Sequence, residues 1–345
     1  MTGLLLLTGG ILVIAVFALV YRILSLIDIA KGKQGKPVGT TSNAVNSFLF
    51  IVFFFVGFGL LFWYSGKASE NFLPESASEH GKLTDKLFWI TTGITFVVFF
   101  LTHVILFLTP YFFRYRENRS AYWWPDNTKL EVAWTVLPAI VLTVLVLTGW
   151  WAWRDITAPA PDDSLQVEIV GKQFNWMVRY GGKDGKIGKY DYRKIDATNQ
   201  LGMDFAADKS NFDDFTPREI HLPKGKSVLL KIRARDVLHS VFMPHFRVKM
   251  DAVPGMPTSF WFTPTKTTEE MRKELNDPNF NYELACTEIC GQGHFAMRMV
   301  IVVSEPEEFE KWYASQEPWA KQNADYIASL NLENSKELAS LFNQK

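Results

Sequence analysis

Four long apolar stretches in the first 153 residues restrict the fold of this chain more than any other feature. A helix that crosses a bilayer needs about 20 apolar residues, and the stretches are that long: residues 4–27, 45–64, 87–113, and a fourth that begins near Val132. The fourth ends in Trp150, Trp151 and Trp153, and aromatic residues at a helix end are typical of the membrane interface. The sequence therefore predicts four transmembrane helices, an additional pair within residues 1–66 and a second pair within residues 87–153.

The charged residues divide the chain in the same way. Residues 1–153 contain 19 Asp, Glu, Lys and Arg, whereas the remaining 192 contain 53, of which 28 are acidic. The second part is therefore expected to fold in water. The 28 Phe and 12 Trp of the chain exclude intrinsic disorder, and two cysteines are too few for a disulfide-rich scaffold. A slightly acidic domain cannot release counterions from phosphates, so we expect no nucleic-acid partner.

Loop charges predict the orientation of these helices. Lys and Arg collect in the loops after the first and third helices, and such loops stay on the cytoplasmic side; they are Lys31, Lys33, Lys36, Arg114, Arg116, Arg119 and Lys129. Acidic residues outnumber basic ones between the second and third helices. The N-terminus and everything after Arg154 are therefore predicted to lie on the outer side. No basic residue precedes Leu4, so the first helix is expected to be retained rather than cleaved as a signal peptide.

Two polar residues of the membrane region each allow two interpretations. His103 lies within the third apolar stretch, where an ionisable group is a functional candidate. A single neutral His without a partner in the sequence also serves as a hydrogen-bond donor in helix packing. Glu131 precedes the fourth stretch, where a carboxylate is stabilised by the dipole at a helix N-terminus.

Short β-rich runs follow the Pro-containing linker at residues 157–163. They alternate apolar and polar residues or are rich in β-branched and aromatic ones, and they cover residues 164–170, 174–180, 218–222, 227–234, 258–262, 282–285 and 297–303. The pattern predicts a small antiparallel sandwich or barrel within residues 158–304. Residues 181–216, rich in Gly, Asp and Lys, are predicted to form a long surface excursion. Residues 305–345 are predicted to form a helical tail.

Both cysteines of the chain lie in one window of twelve residues, 286–297. This window and one upstream histidine, predicted at the end of a β-rich run, offer five side chains that bind metals: His239, Cys286, Cys290, His294 and Met297. Thiolate, thioether and imidazole ligands favour copper, whereas zinc rarely takes a thioether. One Cys with two His and a weak Met is typical of a mononuclear blue-copper site. A second Cys permits two bridging thiolates, which favours a dinuclear copper centre.

Two other interpretations stay open from the residues alone. A disulfide between Cys286 and Cys290 is compatible with an oxidising compartment, but it leaves the His and Met at fixed offsets unexplained. A structural zinc site accounts for the thiolates and imidazoles but not for Met297.

Three motifs together resemble subunit II of the heme-copper cytochrome c oxidases. They are Val-Leu-His-Ser-Val-Phe-Met-Pro from Val237, Lys-Met-Asp-Ala-Val-Pro-Gly from Lys249, and Cys-Thr-Glu-Ile-Cys-Gly-Gln-Gly-His-Phe-Ala-Met from Cys286. The resemblance extends over roughly residues 87–303 and includes Leu-Glu-Val-Ala-Trp-Thr-Val-Leu-Pro from Leu130. The cysteine loop is also similar to that of nitrous oxide reductase, but that resemblance would not include the paired helices.

The resemblance implies a membrane-anchored, cupredoxin-like Greek-key β-barrel that holds a dinuclear copper (CuA) centre. The implied copper ligands are the bridging Cys286 and Cys290, one terminal His for each copper (His239 and His294), the weak axial Met297 and the backbone carbonyl of Glu288. The carboxylate of Glu288 would face subunit I and help to hold a magnesium ion there. Asp251 would lie beside that interface, and Glu131 near the mouth of a proton-uptake path.

The implied function is electron transfer from cytochrome c to heme in subunit I, coupled to oxygen reduction and proton pumping. The implied location is the inner membrane of a bacterium, among other oxidase subunits and lipid, with the copper domain on the periplasmic face. Only His103 is intramembrane, so oxygen chemistry is not expected on this chain. No Cys-x-x-Cys-His occurs, so the donor cytochrome is expected to be a separate protein. The alternatives are the copper subunit of a nitric oxide reductase, a structural subunit II of a quinol oxidase, and a copper-storage protein.

Three positions or segments depart from the family pattern. Phe174 stands where the family has the first Trp of Gln-Trp-x-Trp, at which electrons from cytochrome c arrive, while Trp176 holds the second. We expect Trp176 or another surface aromatic to take over that role. Two helices precede the usual pair, and we expect them to anchor the chain or contact another subunit. His245 has no ligand counterpart and is predicted to be a surface or interface residue.

Overall fold

The computed structural model describes residues 2–30, 40–69, 72–116 and 118–332. Four long helices come first: α1 (Thr2–Ala30), α2 (Thr40–Ala68), α3 (Glu79–Phe112) and α4 (Thr128–Ile156). Each is long and apolar enough to cross a membrane, so the four predicted transmembrane helices are confirmed. The loop lysines Lys31, Lys33 and Lys36 lie outside the described residues, as do residues 333–345 of the predicted tail.

All four helices begin before the apolar stretches that hydropathy predicts, and α2 begins at Thr40 rather than near Val45. α3 begins at Glu79 rather than at Leu87, and α4 at Thr128 rather than near Val132. The additional turns are polar, so an apolar window cannot detect them. The start of α3 is fixed by Ser78, whose hydroxyl accepts a hydrogen bond from the Gly81 N–H at 3.1 Å, as an N-cap residue does.

The chain divides into two compact units, and the first contains α1, α2 and residues 95–127. Within it, aromatic rings of α2 pack on those of α3; the Phe53 and Phe107 centroids, for example, are 5.2 Å apart. His103 Nδ1 lies 2.7 Å from the Phe99 carbonyl oxygen, and its ring meets Phe58 edge-on. The contacts of His103 are therefore those of a hydrogen-bond donor in helix packing.

The second unit contains residues 69–94, α4 and everything that follows. In the described part of this unit, nine strands form two sheets. One sheet has the order β2–β1–β4–β7, with β1 (Leu165–Lys172), β2 (Asn175–Tyr180), β4 (Val228–Ala234) and β7 (Thr258–Phe262). The other has the order β3–β9–β8–β5–β6, with β3 (Ile220–Pro223), β5 (His239–Met243), β6 (Val248–Ala252), β8 (Tyr282–Cys286) and β9 (Arg298–Ser304).

The inner faces of the two sheets form the main hydrophobic core. Alternate residues of each strand point inward, as the period-two pattern requires; Val167, Ile169, Leu230, Ile232, Leu284 and Ile301 are all fully or almost fully buried. The prediction of an antiparallel barrel was wrong at two places, because β1 runs parallel to β4 and β3 runs parallel to β9. The predicted fold class, four membrane helices followed by a cupredoxin-like barrel, is confirmed.

Three elements of the barrel were not predicted. β5 and β6 are short and carry polar residues such as His239 and Lys249, which obscure the alternation. His239 is the first residue of β5 and not the end of a strand. Helix α5 (Thr268–Leu275) begins with a capping box between Thr267 and Glu270, a short polar signal.

Residues 181–216 were predicted to form a surface excursion, but they also contribute side chains to a buried core. They fold over the outer face of β1 and β2 and bury their own apolar side chains in a second core, made of Leu201, Met203, Phe205 and Phe212 with Val170, Trp319, Ala320 and Ile327. The last three come from the predicted tail, which forms α6 (Pro306–Ala314), α7 (Trp319–Gln322) and α8 (Ala324–Ser329). The tail is therefore an integral part of this unit as far as residue 332.

Four buried charged residues lie between this second core and the sheet. Glu168 of β1 accepts hydrogen bonds from Arg179 of β2 at 2.7 Å and from Arg233 of β4 at 2.8 Å, and Arg179 also contacts Asp214 at 3.2 Å. Burial opposes ionisation of Glu168, but the two guanidinium groups lower its pKa to about 2. Burial raises the pKa of Asp214 to about 8, and the nearby Asp213 and Glu168 carboxylates act in the same direction. One of its oxygens has no hydrogen-bond partner among the described residues.

A strap, residues 72–85, holds the start of α3 on the barrel. The Ala77 N–H donates to the His245 carbonyl at 2.7 Å, and the Ser78 hydroxyl donates to the Phe246 carbonyl at 2.7 Å. Arg247 forms a two-pronged ion pair with Asp85, at 2.6 and 2.9 Å. These contacts make the strap part of the barrel's structure.

Candidate metal centre

Three loops meet at one end of the barrel. They are the β1–β2 turn, the loop before β5, and the loop from the end of β8 to the start of β9. The strand directions require this, because β5 and β8 are antiparallel and so are β8 and β9. The end of β8, where Cys286 lies, is therefore beside the start of β5, where His239 lies.

All six predicted copper-ligand positions lie at this end, and their donor atoms are close together. Cys286 Sγ lies 3.9 Å from His239 Nδ1 and 3.2 Å from the Glu288 carbonyl oxygen. Cys290 Sγ lies 3.6 Å from His294 Nδ1 and 3.9 Å from Met297 Sδ. Two ligands on one metal, each bonded at about 2.0–2.3 Å, lie about 3–4 Å apart. The donor atoms therefore fit a metal centre.

The two cysteine sulfur atoms are 4.0 Å apart, and both thiols are free. A disulfide bond would bring them to about 2 Å, so this arrangement does not support the disulfide interpretation. Burial, together with the neighbouring Cys286, raises the pKa of Cys290 to about 11. His239, Cys286 and Cys290 form the group of potential metal ligands in the described part of the chain, and the Met297 thioether beside them favours copper over zinc.

The ligand loop combines buried donors with exposed apolar side chains. His239, Cys286, Cys290 and Met297 are buried. By contrast, Ile289 and Phe295 are 82% and 81% exposed. The loop thus presents an apolar surface above these four buried side chains, whereas His294 and Glu288 are half-buried.

Phe174 and Trp176 occupy different environments. Phe174 is 41% exposed and lies against the ligand loop so closely that a Cβ on Gly293 would be 2.5 Å from its ring. Trp176 is only 3% exposed and lies inside the barrel, with its ring 5.9 Å from that of His239. Trp176 was expected to replace the family's surface Trp, but its ring points into the core and is not exposed for contact with a donor.

Two residues that hold the ligands in place were not predicted from the sequence. Asp236 accepts a hydrogen bond from His239 Nε2 at 2.9 Å and another from the Gln173 N–H at 2.7 Å. The Gln173 side-chain amide donates to the Cys290 carbonyl at 2.6 Å. Partial burial opposes ionisation of Asp236, but these hydrogen bonds hold its pKa below the usual value. The sequence feature that could have identified Asp236 is its position, three residues before a candidate His ligand.

The remaining predicted residues lie outside the donor cluster. Glu288 joins it only through its carbonyl. Asp251 is exposed on β6, opposite Ser240 of β5, and Glu131 lies in the first turn of α4. His245, predicted to be a surface or interface residue, is half-buried, and its ring packs against Phe280 and Tyr282.

Known proteins with similar sequences identify the family. The family model described as cytochrome c oxidase subunit II, periplasmic domain, matches residues 165–304, and the model of its transmembrane domain matches residues 67–149. Helix α1 and all but the last two residues of α2 thus precede the matched region.

Individual relatives agree with these models. The alternative cytochrome c oxidase subunit 2 of Bradyrhizobium diazoefficiens is 35% identical over 252 residues, which cover 71% of this chain and 83% of that protein. Cytochrome c oxidase subunit 2 of Thermostichus vulcanus is 30% identical over 70% of this chain and 78% of that protein. The crystal structure of the periplasmic domain of subunit II of cytochrome oxidase of Bradyrhizobium japonicum is 26% identical, covering 45% of this chain and 94% of that one, with a TM-score of 0.31. On the sequence matches, the chain belongs to the cytochrome c oxidase subunit II family.

Proposed function

We propose that this chain receives electrons from cytochrome c and passes them to heme in subunit I of a terminal oxidase. The observation that carries the proposal is the meeting of two thiols, two imidazoles, a thioether and a carbonyl at one end of the barrel. A dinuclear copper centre bound there would supply a one-electron carrier. As a member of the subunit II family, the chain is one subunit of an oxidoreductase complex.

Cys286 and Cys290 would bridge the two metal ions, with His239, His294, Met297 and the Glu288 carbonyl as the other ligands. The chain keeps these groups in place by attaching them to strands. Cys286 ends β8 and pairs with Val241 of β5, and its N–H donates to the Met297 carbonyl at 3.1 Å. A site held by a sheet can change little in geometry, and a small change favours rapid electron transfer.

Electrons would arrive at the apolar surface of the ligand loop. Phe174 and Phe295 are the exposed aromatic side chains beside the donor atoms, and Phe174 touches the loop at Gly291 and Gly293. We propose that the donor cytochrome docks over this surface, and that Phe174 takes the place of the family's first Trp. Trp176, which lies between the turn and His239, would support the ring of that ligand.

The remaining family roles are assigned by position. The chain is anchored in a membrane by its helices, and we propose that it is a bacterial inner membrane with the barrel on the periplasmic face. The carboxylate of Glu288 would hold a magnesium ion shared with subunit I, beside which Asp251 would lie. Glu131 would lie near the mouth of a proton-uptake path in subunit I. No observation favours a nitric oxide reductase, a quinol oxidase or a storage protein.

Rapid mixing with reduced cytochrome c tests the proposal. The full chain is purified in detergent, loaded with copper and mixed with the reduced cytochrome while the heme absorbance is followed. We expect rapid oxidation of the heme with the loaded chain and none with the metal-free chain or a Cys290→Ser variant. Equal rates for all three would contradict the proposed function.

A further inference from the structure

The carboxylate of Asp236 reaches the candidate centre through His239. We propose that Asp236 is a positioning residue that fixes the tautomer and orientation of the His239 ring and so sets the affinity and reduction potential of the metal site. The inference rests on the proposed copper centre.

The two ring nitrogens of His239 face different groups. Nε2 lies 2.9 Å from Asp236 Oδ1, whereas Nδ1 faces Cys286 Sγ at 3.9 Å. An ionised carboxylate only accepts hydrogen bonds, so the proton of the neutral ring belongs on Nε2. The lone pair of Nδ1 is then directed toward the thiols, as a metal ligand requires.

Asp236 is itself held by backbone groups. Its Oδ1 accepts from the Val237 N–H at 2.8 Å, and its Oδ2 accepts from the Gln173 N–H at 2.7 Å. Gln173 in turn binds the Cys290 carbonyl through its side chain. The carboxylate therefore joins the His239 loop to the β1–β2 turn, and that turn to the cysteine loop. Rotation of the His239 ring would break its hydrogen bond to a carboxylate that these other contacts hold in place.

The other histidine provides an internal contrast. Among the described residues, no carboxylate contacts His294, whose recorded side-chain contact is Cys290 Sγ. A negative charge hydrogen-bonded to one imidazole makes that ligand more basic and stabilises the more positive, oxidised metal. We therefore expect His239 to be the stronger imidazole ligand, and loss of the Asp236 charge to raise the reduction potential.

The substitution Asp236→Asn tests the positioning role of the carboxylate with little change in side-chain size. An amide NH₂ would face either His239 Nε2–H or the Gln173 N–H, so one of the two hydrogen bonds is lost. The full chain in detergent is loaded with copper, and redox titration, paramagnetic resonance and copper competition are compared with the unmodified chain. We expect a higher potential, altered copper hyperfine splitting and about 10- to 100-fold weaker copper binding.

Asp162→Asn is the matched control, because Asp162 precedes β1 at the end opposite Gln173 and is exposed. It removes the same charge and is expected to leave all three readouts unchanged. A normal dinuclear signal in the unmodified chain with unchanged potential, spectrum and affinity in Asp236→Asn would overturn this inference alone. Absence of a dinuclear signal in the unmodified chain would overturn the proposed function and, with it, this role.

A second measurement does not depend on the folding of a variant. Nitrogen NMR of the metal-free, unmodified chain, with labelled histidine, reports the tautomer of each neutral ring. We expect His239 to carry its proton on Nε2. A proton on Nδ1 would overturn the inference, because Asp236 would then have no donor on the ring.

Discussion

The ligand end of the barrel and the flank under residues 181–216 are stabilised in opposite ways. At the ligand end, short loops place soft donor atoms 3.2–4.0 Å apart, under exposed apolar side chains. At the flank, Arg179 and Asp214 are fully buried in a network of charges. The donor atoms of the ligand end are arranged for a metal that would complete it, whereas the charged groups of the flank pair with one another within the chain.

The largest expected effect concerns the ligand end alone. Cys290→Ser removes one of the two thiols that we propose to bridge the copper ions, so we expect complete loss of the dinuclear copper signal. Because Cys290 lies in a loop rather than in a strand, the metal-free variant should unfold within about 1 kcal/mol of the unmodified chain. Copper content and thermal unfolding in detergent measure both quantities. Retention of two coppers would contradict the ligand assignment.

The second prediction concerns the flank, where a substitution should change the stability but not the copper spectrum. Arg179→Met leaves the buried Glu168 carboxylate with Arg233 as its remaining partner and removes the donor that contacts Asp214, and removal of one member of a buried ion network destabilises by about 3–5 kcal/mol. The copper spectrum of the folded fraction should not change. Lys321→Met is the matched control, since its pair with Glu317 is half exposed and worth about 0.3–0.5 kcal/mol. If both variants unfold alike, the buried network does not stabilise the flank.

The third prediction concerns the strap, where we expect a smaller loss of stability than at the flank. Asp85→Ala removes the partner of Arg247, whose guanidinium is mostly buried, and we expect a loss of about 1–3 kcal/mol. Lys82→Ala, on an exposed side chain of the same helix, should have no measurable effect. Thermal unfolding followed by Trp fluorescence compares the two. Equal unfolding temperatures for Asp85→Ala and the unmodified chain would show that the strap only lies on the barrel.

The smallest effect depends on pH. Burial, with a contribution from Arg247, lowers the pKa of His245 from 6.5 to about 4. The folded state therefore favours the neutral ring, and the resulting stability is present above pH 6.5 and lost as the pH falls toward 4. His245→Phe retains the ring against Phe280 and Tyr282 but cannot titrate. Its free energy of unfolding should fall less steeply between pH 6.5 and 4, and an unchanged slope would contradict the assignment.

The same contrast explains what could be predicted from the sequence. Metal chemistry requires particular residue types at fixed spacings, so Cys286, Cys290, His294 and Met297 were visible as one motif. The membrane helices were visible because a bilayer demands continuous apolar length. Pairing between distant residues leaves no such local pattern, as the Arg247–Asp85 ion pair shows, with its members 162 positions apart. Burial of Trp176 and His245 also depends on neighbours that come from elsewhere in the chain.

Paramagnetic resonance of the copper-loaded full chain tests the central claim most directly. Each copper nucleus has spin 3/2, so an unpaired electron shared equally by two nuclei gives a seven-line pattern. We predict two coppers per chain and seven lines in the unmodified protein. One copper with a four-line pattern, or no retained copper, would contradict a dinuclear centre at this end of the barrel.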